Sequence, residues 1–271
     1  LYKADTNSAS EMSDHPEFDN TAGMEEILNL RQEMAQLLGF QNYAELSLAS
    51  KMAPDVETVD KFLIDLAEHA RAPAEKEIAE LKAIASEDGI SNLEPWDTTY
   101  YSEKLKVQQF NLSQEALKPY FPAPKSLQGL FGIVNRLYGI NIVERQAPVW
   151  HEDARYFELE DQGKVVGGFY FDLYARSGKR GGAWMSGFRS RMQTSNGLQN
   201  PICYMVSNFT PPVGEQPALL THDEVITLFH EFGHGLHHML TEVDNISVAD
   251  THGTAWDAVE LPSQCMEVWA W

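Results

Sequence analysis

The sequence has few cysteines and no long apolar run. Its 271 residues include two cysteines, Cys203 and Cys265, which lie far apart and outside any Cys-x-x-Cys pattern. Neither a disulfide framework nor a thiolate metal site is indicated, and a reducing compartment, the cytoplasm, is predicted. No stretch approaches the ~18 apolar residues that a membrane span needs, so no membrane association is expected.

Basic residues are also scarce, with 20 Lys and Arg against 40 Asp and Glu, for a formal net charge of −20. Such a charge argues against nucleic acid as a partner. The first twenty residues are rich in Asp and Glu and do not form a signal peptide. The chain opens on Leu1 and stops at Trp271 within an apolar, helix-like run. We therefore expect an internal piece of a longer protein, of unspecified oligomeric state.

The residue pattern changes near residue 149 and divides the chain into two parts. Residues 1–148 are predicted to be helical, and residues 149–271 to contain a small sheet followed by two helices that carry the candidate zinc site. Apolar residues at three- and four-residue spacings predict helices over 24–38, 42–52, 56–85, 102–110, 113–120 and 126–137. The last three begin at serines, which are good N-caps. Short aromatic and β-branched segments predict strands over 156–160, 165–174 and 202–209. The predicted fold class is mainly α with a small β-sheet.

The stretch 221–240, T-H-D-E-V-I-T-L-F-H-E-F-G-H-G-L-H-H-M-L, carries the most chemical information. Thr221 and Glu224 form a capping box, which predicts a helix beginning near residue 222. The motif H-E-x-x-H follows as His230, Glu231 and His234. Four residues advance a helix by about 400°, so both imidazoles lie on one face and can bind one zinc ion.

A catalytic zinc needs a third protein ligand and an open position for water. Glu260, in W-D-A-V-E-L-P-S-Q, is the candidate, on a second helix predicted over 256–271 that could pack antiparallel to the first. His237 is the alternative third ligand, because seven residues return it to the azimuth of His230. A separation of about 10 Å along the axis is long for one tetrahedral ion. His237 and His238 are otherwise expected around the ligands, in the cleft or simply in solvent. Asp257 could orient a ligand imidazole or be an ordinary carboxylate at a helix start.

These strings together resemble peptidase family M3, the thimet oligopeptidase family of zinc metallopeptidases, and within it the bacterial oligopeptidases. The resemblance extends to Y-Y-S-E-K, F-Y-F-D-L-Y-A-R-S-G-K-R-G-G-A-W-M and T-H-D-E-V-I. It implies a mainly α, zincin-type fold, incomplete here, with the small β-sheet beside the active site. It also implies one Zn²⁺ per chain, held by His230, His234 and Glu260. It also implies that short peptides are the substrates and that residues 182–188 form an edge strand along which a peptide lies. The family's C-terminal His and Tyr residues, which bind substrate and oxyanion, lie outside this chain.

The predicted function is zinc-dependent endopeptidase action on short oligopeptides. Zinc lowers the pKa of bound water towards ~7, and Glu231 acts on that water as general base before returning a proton to the leaving amine. One alternative is a zinc- or peptide-binding fragment without turnover. The other is a dipeptidyl carboxypeptidase of the same family.

Overall fold

A computed structural model describes residue 2 and residues 6–271 of the chain. Contacts between residues divide it into two compact units, Leu1–Asn111 and Leu112–Trp271. The change of residue pattern predicted at residues 148/149 lies inside the second unit. No helix among the described residues is long and apolar enough to cross a membrane.

Four α-helices are fully described in the first unit, and all four were predicted. They are α1 (Thr21–Leu37), α2 (Tyr43–Leu48), α3 (Val56–Glu87) and α4 (Thr98–Phe110). The side chains of Asn42 and Asp55 cap α2 and α3 by accepting backbone N–H groups. The small core of this unit joins the end of α3 to α4 through buried residues, namely Leu81, Ile84, Ala85 and Tyr101.

The predicted starts of two helices are wrong. The helix expected from Ser102 begins at Thr98, because the 3₁₀ turn Pro95–Asp97 leads directly into it. In the second unit, α5 (Gln114–Leu117) is capped by Ser113 as expected, but α6 (Ala123–Tyr138) begins three residues before the predicted Ser126 cap. Proline fits the first turn of a helix, and Pro124 occupies the second position of α6.

A mixed five-stranded sheet in the second unit has the order β1-β2-β3-β7-β4. The strands, with a separate β5–β6 hairpin, are β1 (Asn141–Arg145), β2 (Arg155–Asp161), β3 (Lys164–Tyr174), β4 (Trp184–Arg189), β5 (Met192–Thr194), β6 (Gly197–Gln199) and β7 (Ile202–Phe209). Among the described strands, β3 and β7 are the pair that runs parallel. The predicted strands β2, β3 and β7 are confirmed. Residues 1–148, predicted as the helical part, also contain β1, a five-residue edge strand too short to show a clear period.

Two helices follow the sheet, α7 (His222–Met239) and α8 (Leu261–Glu267). The predicted capping box of Thr221 and Glu224 begins α7. The second helix is not continuous over residues 256–271: the 3₁₀ turns Trp256–Ala258 and Val268–Ala270 flank α8, and Glu260 is its N-cap residue. Pro262 explains the break, because it lacks an N–H group and belongs in a first turn.

Helices α7 and α8 run antiparallel and very close together. A Cβ atom at Gly233 would lie 2.5 Å from the carbonyl oxygen of Pro262, so only glycine allows this approach. The other side of α7 packs on the sheet, where the Phe232 ring centroid lies 5.3 Å from that of Phe169. The main core therefore holds α7 between the sheet and α8.

A buried ion cluster fixes the segment between β3 and β4. The Asp172 carboxylate is 3 % exposed and accepts hydrogen bonds from Arg176, Lys179 and Trp150 at 2.6–2.9 Å. Burial alone would raise the pKa of Asp172. The three donors together have the larger effect and bring the pKa well below its ordinary value of 3.8. Because the folded-state pKa is the lower one, the ion cluster stabilises the fold above about pH 4 and is lost as the pH falls towards the folded-state pKa.

Candidate metal centre

His230 and His234 lie one turn apart on the same face of α7. Their ring centroids are 4.9 Å apart and the ring planes are nearly perpendicular. The side chain of His230 is 27 % exposed and that of His234 is 13 % exposed. Burial lowers the pKa of His234, although Glu260 opposes the shift. That imidazole therefore tends to be neutral, the state in which a ring nitrogen can bind a cation.

Glu260 brings a carboxylate to both imidazoles from the start of α8. Its Oε2 atom lies 3.3 Å from His230 Nε2 and 3.1 Å from His234 Nε2. The hydroxyl of Ser263 donates to the same oxygen at 2.7 Å. This hydrogen bond is the largest cause of the lowered pKa of Glu260, which keeps the carboxylate ionised. One ligand atom from each of the three residues lies within 4.8 Å of the other two.

Glu267 holds the far side of the His230 ring. Its Oε1 atom is 2.6 Å from His230 Nδ1 and accepts a hydrogen bond from the proton on that nitrogen. The other ring nitrogen, Nε2, then has a free lone pair and faces Glu260. From the sequence, Asp257 is the residue predicted for such a role. Asp257 is exposed in the turn Trp256–Ala258. Glu267 lies seven residues, two helical turns, after Glu260, and this spacing is the signal that could have identified it.

Glu231 is buried beside the two histidines, with 7 % of its surface exposed. Burial raises its pKa and the charge of Glu260 adds to the effect, whereas His230 and a hydrogen bond from the backbone N–H of Met185 oppose it. A carboxylate with a raised pKa is a better proton acceptor than an exposed one.

His237 lies outside this group. Its Nε2 atom is 3.4 Å from the Thr254 hydroxyl, and its buried Nδ1 atom has no hydrogen-bond partner among the described residues. His238 is buried in a different direction, against the sheet. The structure therefore brings together His230, His234 and Glu260, and places His237 with the loop that follows α7.

Strand β4 forms the sheet edge nearest to Glu231. Among the described residues it pairs with β7 alone, so the prediction of an edge strand around residues 182–188 is confirmed, with the strand at Trp184–Arg189. The Met185 amide that hydrogen-bonds to Glu231 belongs to this strand. An edge strand carries unpaired backbone groups, which can bind an extended peptide.

The donor set has the chemistry of a catalytic zinc site. Two imidazole nitrogens and one carboxylate oxygen form a recognised three-ligand set, and a structural zinc site would use a fourth ligand, usually cysteine. Cys203 is buried in the core, and Cys265 is not a member of the His/His/Glu cluster. Within the described part of the chain, this cluster is the group of side chains that could hold a metal ion.

Comparison with known proteins points to one family of peptidases. The family model described as peptidase family M3 matches residues 1–271. Oligopeptidase A of Escherichia coli is 53 % identical over 100 % of this chain and 41 % of its own length, and that of Haemophilus influenzae is 49 % identical over 100 % and 40 %. Dipeptidyl carboxypeptidase of Escherichia coli is 38 % identical over 93 % of the chain and 37 % of its own length. The chain thus spans about two fifths of the length of these relatives.

Proposed function

The chain belongs to peptidase family M3, and from this premise we propose that the protein containing it is a zinc-dependent endopeptidase that hydrolyses short oligopeptides. The resemblance seen in the sequence, including that to bacterial oligopeptidase A, is thereby confirmed. We also propose a zincin-type catalytic domain, of which residues 1–271 form a part, and a cytoplasmic location, in keeping with two free thiols.

The main support for this proposal is the short distance from the Glu260 carboxylate to both His230 and His234. His230, His234 and Glu260 would hold one zinc ion, with Glu267 orienting the first imidazole. When bound, zinc supplies Lewis acidity to the scissile carbonyl and increases the acidity of water at the site.

Glu231 would move the proton in the reaction. Its carboxylate takes a proton from the attacking water, and the same oxygen then delivers a proton to the nitrogen of the departing amine. The raised pKa of this buried carboxylate suits the first step, because it makes the group a stronger proton acceptor than an exposed glutamate. The hydrogen bond from Met185 restrains the carboxylate at the site.

The substrate peptide would lie along β4. Residues two apart on a strand point their backbone groups the same way, so Gly187 faces outward as Met185 does. Main-chain hydrogen bonds to this edge would bind peptides with little dependence on their sequence, and short extended chains fit such an edge better than folded proteins.

Two alternatives give different products in the same experiment. A dipeptidyl carboxypeptidase releases C-terminal dipeptides, and a binding fragment releases nothing; the higher identity to oligopeptidase A favours internal cleavage. The test measures zinc content and turnover of a quenched fluorescent peptide by the intact protein, with cleavage sites mapped by mass spectrometry. Stoichiometric zinc and internal cleavage are expected. A zinc-loaded protein without turnover would refute the enzymatic proposal.

A further inference from the structure

His238 is a buried histidine outside the candidate metal centre. It lies in the last turn of α7 and is 1 % exposed. Its Nε2 atom is 3.1 Å from the carbonyl oxygen of Arg189 and 3.2 Å from that of Ile202. Carbonyl oxygens only accept, so Nε2 carries a proton and donates to both. One side chain therefore binds two strands.

These two carbonyls lie at an irregularity of the sheet. Arg189 of β4 pairs with Ile202 of β7, and the register shifts between Gly187 and Arg189. A register shift leaves backbone groups without their usual ladder partners. The His238 ring supplies the donor that the interrupted ladder lacks.

The same ring also sets the position of β4. A Cβ atom at Gly187 would lie 3.0 Å from His238 Cε1, so the strand rests directly on the imidazole. Any side chain at residue 187 would move either the strand or the ring. Gly187 lies two residues after Met185 on the same strand.

Asp250 lies on the other side of the ring. Its Oδ2 atom is within ion-pair distance of His238 Nδ1, at 3.4 Å, and among the described residues neither atom has a hydrogen-bond partner. Asp250 is buried in a left-handed conformation with φ of 51°. Its carboxylate also bonds Ser190, next to β4, and His252. The loop after α7 is thus tied to the end of β4 through one carboxylate.

We infer that His238 and Asp250 are a positioning pair that holds the edge strand β4 at the distance from Glu231 at which a substrate peptide is bound. The inference rests on the proposed function. The backbone amide of Met185 in β4 lies beside Glu231 of α7, and His238 contacts the strand two to four residues later. Neither His238 nor Asp250 touches the reacting atoms. Their effect is expected on peptide binding rather than on chemistry.

The test compares His238→Met with His238→Gln in the intact protein. Methionine fills the volume without a donor, whereas glutamine retains an N–H group near the position of Nε2. KM, kcat and zinc content are measured with the same fluorescent peptide. For His238→Met we expect KM to rise about tenfold, equivalent to about 1.4 kcal/mol, with kcat and zinc content nearly unchanged. For His238→Gln we expect a rise of no more than about threefold.

His252→Ala is the matched control, because it removes an exposed imidazole from the same Asp250 carboxylate without touching β4. Its KM should stay within about twofold. Gly187→Ala disturbs the same contact from the strand side and leaves the helix unchanged. Its Cβ atom would press on the His238 ring, so this variant should also raise KM. Combined with His238→Ala, which removes the ring, it should add little further effect, because the steric conflict is gone.

The outcomes separate the two proposals. A wild-type protein without turnover would remove the proposed function and this inference with it. Turnover by the wild type with an unchanged KM in both His238→Met and Gly187→Ala would overturn the inference alone. A fall in kcat at constant KM would also overturn it, since that pattern means a smaller folded fraction rather than a displaced strand.

Discussion

Replacement of Glu260 by alanine tests the metal centre most directly. The change removes one of three ligand atoms and leaves only the two imidazoles of α7. Four-ligand structural zinc sites bind with apparent free energies of about 10–16 kcal/mol, or roughly 3 kcal/mol per ligand. Loss of one ligand therefore predicts a zinc affinity lower by roughly 100-fold or more.

His237→Ala is the comparison, because His237 is the other third ligand that the sequence allows. Its Nε2 atom contacts Thr254, and it is not part of the cluster of mutually close ligand atoms. The variant should bind zinc within about threefold of the wild-type affinity. Both variants are titrated with zinc against a fluorescent chelator of known affinity, and metal content is measured after dialysis. Loss of zinc in His237→Ala with retention in Glu260→Ala would refute the proposed ligand set.

Four further predictions follow from the same contacts. Glu231→Gln should retain stoichiometric zinc and lose nearly all peptide turnover, since an amide does not accept the proton; a residual rate above a few per cent would contradict the role of base. Glu267→Ala should weaken zinc binding about 10- to 100-fold by releasing the His230 ring, and an unchanged affinity in the chelator titration would contradict this. Residues 1–271 alone should bind zinc but turn over peptide about 10²- to 10³-fold more slowly than the intact protein, since the resemblance places oxyanion donors outside them; equal rates per bound zinc would disprove it. Asp172→Asn should lower the free energy of unfolding by about 3–5 kcal/mol at pH 7 by leaving buried Lys179 unpaired. Urea titrations should show this difference shrinking below about pH 4, and a difference independent of pH would refute the ion-pair explanation.

Local sequence determined helix α7 and the two imidazoles on it. The capping box, the apolar period and the four-residue spacing of His230 and His234 act within a few turns, where helix geometry alone sets directions in space. The strands β2, β3 and β7 were likewise evident from composition, because aromatic and β-branched residues suit a buried pleated surface.

Contacts between distant segments decided the rest. Glu260 was suggested by its motif, but its place at the N-cap of α8 depends on the close packing of that helix at Gly233. The two-turn spacing of Glu267 from Glu260 selects it over Asp257 only once the packing of α8 against α7 is known. The sheet order places β4 at the edge, beside β7. His238, which supports β4, belongs to a helix that follows all the strands in the sequence. Periodicity reports which face of an element is buried, whereas the partner of that face is set by chain segments far away in sequence.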